Sequence, residues 1–495
     1  MRGLWAVSFV GIALSCVLGL VGCNGSSGSG DGSADRSTAN QALEDTKILF
    51  NWNEQSDETI CSGLKFQKTL ALGAAFSAGD NDRNRRALDT LQVYLEENYP
   101  EEVSVIDREE RLSILDVEIN DCSALSPLRA SALIEYVEPK YQFPKIDIDI
   151  ETGIEQLQAR SLVPSALDLD RELFNPGFYD PNSYSMSYQD YIRNMDEKSA
   201  DIIEHHGLDK VYKEFKHFGN ANVGVAILDN GVFPDWESYF SQGNGSYSTA
   251  GFYRYYITDN EPDGTQPRAY DFYGITQSLD DLFIHGTRQT ELVYTMAPDI
   301  NFRTVRASSF IVWLLPSQFK GVTSAILSLA EDPSIRIISS SMGTVIYSHE
   351  MARAIEYFVS QDKIFVSAAG TSVPVLKDFV RVVFPASLPY TLSLTGIRNT
   401  DETAGEYQLG ELAHGGLGVD FVIDHSISSS ESTSPFSGML ALLWSANPSL
   451  SREQLIDILI ESSSGYQSQG VKDEIFGWGK VDMYQAFLKV KEAAK

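Results

Sequence analysis

A chain of 495 residues, 43% of them hydrophobic, is long enough for two or three domains and a sizeable buried core. Its 68 acidic against 38 basic residues give a formal net charge of −30. That field repels phosphate and excludes nucleic acid as a partner.

Residues 1–23 read as a targeting segment. Arg2 supplies a short positive region, Leu4–Leu20 is almost wholly apolar, and the run ends Leu20-Val21-Gly22-Cys23. A small residue followed by Cys resembles a bacterial lipobox, which implies acylation of Cys23 and a stable lipid anchor on the membrane. Asn24, rather than Asp, after that Cys disfavours retention at an inner membrane. The expected location is therefore the bacterial cell envelope, at the outer membrane or cell surface. Of the four cysteines, Cys16 leaves with the signal and Cys23 carries lipid. Cys61 and Cys122 remain, an even pair in an oxidising compartment, and a disulfide between them is expected.

Residues 24–45, rich in Gly, Ser and Asp at their start, read as a flexible tether. Residues 46–145 carry a compact pattern: a strand over 68–76, a helix over Arg83–Asn98, strands over Glu102–Asp107 and Arg111–Ile119, a short helix over Ser123–Ala130 and a strand over Leu133–Glu138. The order βαββαβ is the ferredoxin-like unit. Asp80, Asp82 and Asn84 imitate a calcium loop, but Arg85 stands where Gly is needed and Leu91 where Glu is needed, so no site is assigned there. Residues 146–200, acidic and then rich in Tyr, Asn and Pro, read as a connecting arm.

Over 201–495 strands and helices alternate, which predicts an α/β fold with a parallel sheet flanked by helices. The strands fall on Val223–Leu228, Asn301–Val305, Ile335–Ser341, Lys363–Ala369 and Leu392–Ile397. The helices fall on Gly321–Ala330, His349–Ser360, Gly438–Ser445 and Ser451–Ser462. Val225–Leu228 is a continuous apolar run closed by Asp229-Asn230-Gly231, as expected of a buried strand whose acid lies at the carboxyl rim of the sheet. His285 opens His285-Gly286-Thr287. A serine cluster, Ser428–Ser430, precedes the helix at Gly438. The order is Asp, His, Ser, with spacings 285 − 229 = 56 and 430 − 285 = 145 residues.

Here the chain resembles the subtilisin-like serine proteases, whose triad runs in that order. Seven segments carry the likeness: VAILDNG around Asp229, HGT followed by Ala297-Pro298, Ser341-Met342-Gly343, VSAAG (366–370), Pro385-Ala386-Ser387, Trp444–Pro448, and Gly477–Asp482. LIEYVEPKY (133–141) resembles the last strand of the inhibitor-like propeptide that precedes many subtilases, also a βαββαβ unit.

The resemblance implies a serine endopeptidase acting on protein or peptide substrates. Ser430 would attack the peptide carbonyl, His285 would take its proton, and Asp229 would orient the imidazole. Ser341, Met342 and Gly343 would bind substrate, an extended peptide adding as a strand. Thr371 stands at the oxyanion position, where the family usually has Asn. The family's Gly-Thr before the nucleophile is Ser428-Ser429 here, and Pro435 falls one step late. With proline favoured at the first helical position, Ser434 would be the helix cap. Ser432 and Ser434 therefore stand beside Ser430 as candidate nucleophiles. Arg288 replaces the family's second His and is expected to disfavour protonated His285. Glu291 stands near a position usually kept as Gly, and Glu431 directly follows Ser430. His205, His206 and His217 fall outside any metal-ligand spacing, and His425 is the competing base.

No cofactor or metal ligand set is identified, and a structural calcium has no locatable site. The N-terminal unit is the expected intramolecular partner. The alternative is a pseudoprotease that keeps the scaffold and binds peptides or a protein.

Overall fold

A computed structural model describes residues 50–63, 69–140, 197–230, 252–255, 284–308, 311–313, 316–371, 382–398, 407–465 and 470–494. The segment 1–23 with Cys23 and nearly all of 146–200 lie outside the described residues.

The N-terminal part opens on strand β1 (Phe50–Asn51) and helix α1 (Asp57–Gly63). It continues with β2 (Thr69–Gly73), α2 (Asn81–Asn98), β3 (Val103–Glu109), β4 (Ile114–Ile119), α3 (Leu125–Ala130) and β5 (Tyr136–Pro139). Strands β2 to β5 form one antiparallel sheet in the order β3-β4-β2-β5, the ferredoxin-like arrangement expected from the pattern. Leu88, Leu91 and Leu95 of α2 are buried at helical spacing against Leu70, Leu72, Leu115 and Val117 of the sheet. The false calcium loop has another use. Asp80 caps α2 by accepting the Arg83 amide (2.9 Å), and buried Asn84 bonds the backbone of Ser77 and Arg111. Cys61 and Cys122 are joined as a disulfide that ties α1 to the turn before α3.

Among the described residues the larger sheet has eight strands: β6 (Gly224–Asp229), β7 (Phe252–Tyr255), β8 (Asn301–Arg306), β9 (Ile335–Ser340), β11 (Ile364–Ala368), β12 (Leu392–Arg398), β13 (Gln408–Leu409) and β14 (Phe421–Ile423). The order is β13-β12-β11-β9-β6-β8-β7, with β14 also beside β12; every pairing is parallel except β12 with β13. The five strands expected from sequence appear with ends shifted by one residue at most. All six residues of β6 are buried, because it pairs with β8 and β9 on its two edges and is covered on both faces. Val225 and Ile227 pack into the core that holds the helix Ser430–Ala446. Ala226 and Leu228 pack into the core under the helices Pro316–Glu331 and His349–Ser360.

The helices on this sheet are α4 (Glu197–His205), α5 (Ile284–Met296), α6 (Pro316–Glu331), α7 (His349–Ser360), α8 (Ser430–Ala446), α9 (Arg452–Glu461) and α10 (Met483–Glu492). Ser451 opens α9 with a capping box completed by Gln454. One expectation fails. The nucleophile-side helix begins at Ser430, not near Gly438, and Pro435 lies inside it rather than at its first position. Every residue from Ser432 to Ser445 is buried, so tertiary packing overrides the local preference of proline. Among the described residues no helix is long and apolar enough to cross a membrane.

The two sheets are locked together along α7. Arg353, 6% exposed, donates to the backbone carbonyls of Leu112, Ser113 and Ala74 and to the Glu135 carboxylate (2.6 Å), with its guanidinium against the ring of Tyr136. Glu138 of β5 accepts the His349 amide (3.0 Å) at the start of α7, and Tyr136 stacks on the His349 ring. Lys140 bonds Asp116 and Glu350, and Arg111 reaches Glu331 of α6. Strand β1 adds in parallel to a short strand β10 (Ile346–Tyr347).

Gly438 lets α8 approach α5 closely, since a Cβ there would lie 2.7 Å from the Val293 carbonyl oxygen and 2.8 Å from Met296 Cβ. Gly438→Ala is expected to lower unfolding stability by about 1–3 kcal/mol, overpacking outweighing the gain in helix propensity. Urea unfolding of the two proteins checks this.

Candidate active site

Strand β6 delivers Asp229 to the rim of the sheet, where its carboxylate is 1% exposed and accepts the Asn230 amide (2.8 Å). His285 enters from the first turn of α5. Its Nδ1 lies 2.8 Å and 3.0 Å from the two Asp229 oxygens. A carboxylate so placed fixes the tautomer with hydrogen on Nδ1 and leaves the Nε2 lone pair on the side away from the acid. Asn230 completes the clasp, its Oδ1 accepting the Gly286 amide (2.9 Å). Burial lowers the His285 pKa, but the Asp229 charge and hydrogen bond outweigh it, and the result is raised above the ordinary imidazole value. Arg288 does not act as expected. Its guanidinium pairs with Glu291 at 2.8 Å, one turn along the same helix, and it is not among the groups that shift His285. Glu291, buried at 8% exposure, thus serves as the counter-charge to Arg288.

The three candidate serines part company. Ser432 and Ser434 are fully buried. The Ser432 hydroxyl donates back to the Ser428 carbonyl (3.0 Å) and to Ser426 Oγ (2.9 Å), while Ser434 donates to Gln289 Oε1 (2.7 Å). Ser430, the first residue of α8, is half-buried and donates to the Ser341 carbonyl at 3.3 Å. Among the described residues no hydrogen bond joins Ser430 to His285.

The Thr371 hydroxyl is within 2.8 Å of Ser429 Oγ, which also accepts the Gly370 amide (3.1 Å). Ser429, at the position the family gives to Thr, therefore holds the oxyanion-side segment against the start of α8. Local sequence offered only a serine run as a signal for it. Ser341 Oγ donates to Gln289 Oε1 (3.1 Å), so this one buried amide oxygen gathers the hydroxyls of Ser341 and Ser434. Met342 is 1% exposed and packs in the core, so its side chain cannot line a cleft; only the backbone of this segment remains for a peptide. Gly343 is paired already, its amide to the Ile311 carbonyl and its own carbonyl to the Trp313 amide, both at 3.1 Å.

The remaining histidines lie elsewhere. His206 is buried, with Nδ1 3.0 Å from the Val481 carbonyl and Nε2 accepting the Asp424 amide; burial pushes its pKa down to about 4. His217 faces the Leu442 carbonyl (3.0 Å). His425, considered as a competing base, turns instead toward Asp201 and His205.

A parallel sheet that presents an acid, an imidazole and a helix-terminal serine at its rim defines a subtilisin-like α/β protease fold, here preceded by a small antiparallel sheet. The profile of the subtilase family, Peptidase S8, matches residues 220–479, which is 260 of the 495 residues, and the chain belongs to that family. No curated protein sequence matches it. Among solved structures it is similar to the epidermin leader peptide processing serine protease EpiP from Staphylococcus aureus (15% identity over 85% of this chain and 97% of that one, TM-score 0.50). It is also similar to fervidolysin from Fervidobacterium pennivorans, a keratinolytic enzyme related to subtilisin (15% identity, TM-score 0.49). That match covers 85% of this chain and 61% of fervidolysin. At 15% identity the likeness to EpiP speaks for the fold alone.

The raised His285 pKa has a signed consequence for any reaction in which this imidazole is the base. Its neutral form dominates only above the ordinary value of about 6.5, so the acid limb of kcat/KM is expected above that pH. Asp229→Asn should move the limb downward and lower kcat by about 10⁴. A pH–rate profile of the two proteins measures both.

Proposed function

We propose that the chain is an extracytoplasmic serine endopeptidase, tethered to the bacterial envelope through a lipid on Cys23, that hydrolyses peptide bonds with Ser430, His285 and Asp229. The hydrogen bond between His285 Nδ1 and Asp229, which fixes the imidazole tautomer, carries this reading. Ser430 is the nucleophile because Ser432 and Ser434 are buried and committed to other acceptors. For this step the Ser430 hydroxyl must turn from the Ser341 carbonyl to the imidazole. Attack then forms the Ser430 Oγ–carbonyl carbon bond while His285 Nε2 takes the hydroxyl proton, and the protonated ring later gives that proton to the leaving amine. The developing oxyanion finds the Ser430 amide at the helix N-terminus, with the Thr371 hydroxyl as second donor after turning from Ser429.

The pseudoprotease reading rests on a specific observation: both Ser430 and Thr371 point their hydroxyls at internal partners. A fluorophosphonate probe separates the two readings. Labelling of the wild type that vanishes in Ser430→Ala is the expected result. Absence of labelling on folded protein selects the binding scaffold.

The N-terminal unit acts in this reading as an inhibitor that stays with the membrane after a cut within about 146–200. Lipid, tether and the Cys61–Cys122 pair all lie on its side of such a cut, and that pair does not cross it. Finding only full-length protein in the membrane fraction of active cells would count against release.

Docking of the two units is expected to weaken as pH rises. Burial, with the nearby Glu350 carboxylate, pushes Glu138 up to about 7, and burial pushes Asp116 up to about 6 despite Lys140. A carboxyl raised in the docked state contributes its full stability below the free value and loses it as pH climbs through 6–7. Chain nicked between the units should co-elute at pH 5.5 and separate more readily at pH 8, with affinity falling about tenfold or more. Gel filtration and titration at the two pH values test this.

A further inference from the structure

Behind the active site, the end of α4 meets the turn that follows β14. His205 Nδ1 lies 3.3 Å from Asp424 Oδ2, and the rings of His205 and His425 are in edge contact with centroids 4.2 Å apart. One ligand atom from each of His205, Asp424 and His425 can be chosen so that all three lie within 4.8 Å of one another. Asp424 is completely buried. His425 holds a left-handed backbone, φ 57°, uncommon for a residue with a side chain. Its Nδ1 is 3.6 Å from an Asp201 oxygen, and its Nε2 is buried with no hydrogen-bond partner among the described residues. A buried ring nitrogen left without a partner calls for one that the chain does not supply.

We propose that His205, Asp424 and His425 form a site for one divalent transition-metal ion of the zinc class. Two imidazoles and one carboxylate suit zinc and its neighbours, whereas calcium and magnesium take oxygen ligands. Bonds of about 2.0–2.1 Å in a tetrahedron separate ligand atoms by about 3.4 Å, so modest side-chain rotation closes the cluster. Asp201 beside His425 Nδ1 supplies the outer carboxylate that commonly orients a metal-bound imidazole. His206 is not a ligand, because both its ring nitrogens are committed to backbone groups. Lys480, 3.2 Å from Asp424 Oδ2, is the competing cation, and the ion must displace it from that oxygen or share the carboxylate with it. The site joins a helix that precedes β6 to the turn five residues before Ser430, two segments 220 residues apart in sequence. Bound metal would brace the segment that carries the candidate nucleophile without touching substrate.

The experiment uses full-length protein in detergent, carrying Ser430→Ala to prevent self-cleavage. Co²⁺ is the spectroscopic probe and Zn²⁺ the competitor. The expected result is one equivalent of Co²⁺ per chain with visible bands of a tetrahedral site, displaced by Zn²⁺. His205→Ala and His425→Ala should each weaken Zn²⁺ by about a hundredfold or more, beyond the loss typical of an outer-shell change, while His217→Ala leaves it unchanged. His205 is partly exposed, so its variant should fold. Zn²⁺ should raise the melting temperature of the parent and not of His205→Ala. Failure to take up stoichiometric metal, or uptake that His205→Ala leaves unchanged, overturns the site and leaves an ion-pair network with Lys480 as its cation.

Discussion

Two-sided parallel pairing of β6 is the constraint on which the rest of the structure depends. A strand bonded to β8 on one edge and β9 on the other has no freedom of register, and burial of all six residues forbids a one-residue slip. That rigidity reaches the chemistry through a single peptide. Asp229 is the last residue of the strand, Asn230 the next, and between them they hold the His285 ring and the amide of Gly286. The imidazole is thus located by the sheet rather than by its own helix. This explains why the acid and the base meet although 56 residues separate them.

The parts of the fold written in short-range pattern were legible. Val225–Leu228 is apolar without alternation because both of its faces are covered. Leu88, Leu91 and Leu95 declare a helix because only one of its faces is. The Asp229–His285 pair followed from motif order. What local pattern could not show depends on distance. Arg353 looks like one more charge on an amphipathic helix until the β2–β5 sheet covers it and supplies three carbonyls and a carboxylate from 218 or more residues away. Arg288 reads as a substitution aimed at His285 and Glu291 as one at a Gly position, and the two prove to be paired with each other. The association of His205 with His425 leaves no mark in either local segment, since strand pairing across the whole larger sheet creates it.

The contact along α7, where Ala71, Ile114 and Tyr136 of the smaller sheet join the core under α6 and α7, explains how the two sheets behave as one structure. An arginine at 6% exposure is stabilised only if all its donors find acceptors, and here carbonyls at the ends of β2 and β4 serve that purpose. Glu138 uses the other end of the same logic, its carboxylate set on the first amides of α7 where the helix dipole favours negative charge. The anchor contributed by Arg353 rests on backbone carbonyls and the Glu135 carboxylate, while Glu138 and Asp116 are carboxyls whose pKa burial raises to about 7 and about 6. Two kinds of hold therefore lie side by side at the contact with α7, and the carboxyls of β4 and β5 make one of them responsive to the medium.

Helix phase explains why a run of serines yields a single candidate nucleophile. Once α8 begins at Ser430, Ser434 lies one turn along on nearly the same face, deeper in the fold, and Gln289 takes its hydroxyl. Ser432 projects to the far side and returns its hydroxyl to the Ser428 carbonyl. Of the three serines only the first residue of the helix is within reach of solvent. Had the helix started beyond Pro435, as the proline alone suggests, Ser430 would have stood in a loop and Ser434 at the exposed end. The serine left as candidate nucleophile is therefore set by the packing of Ser432–Ser445, which draws the helix back past its own proline.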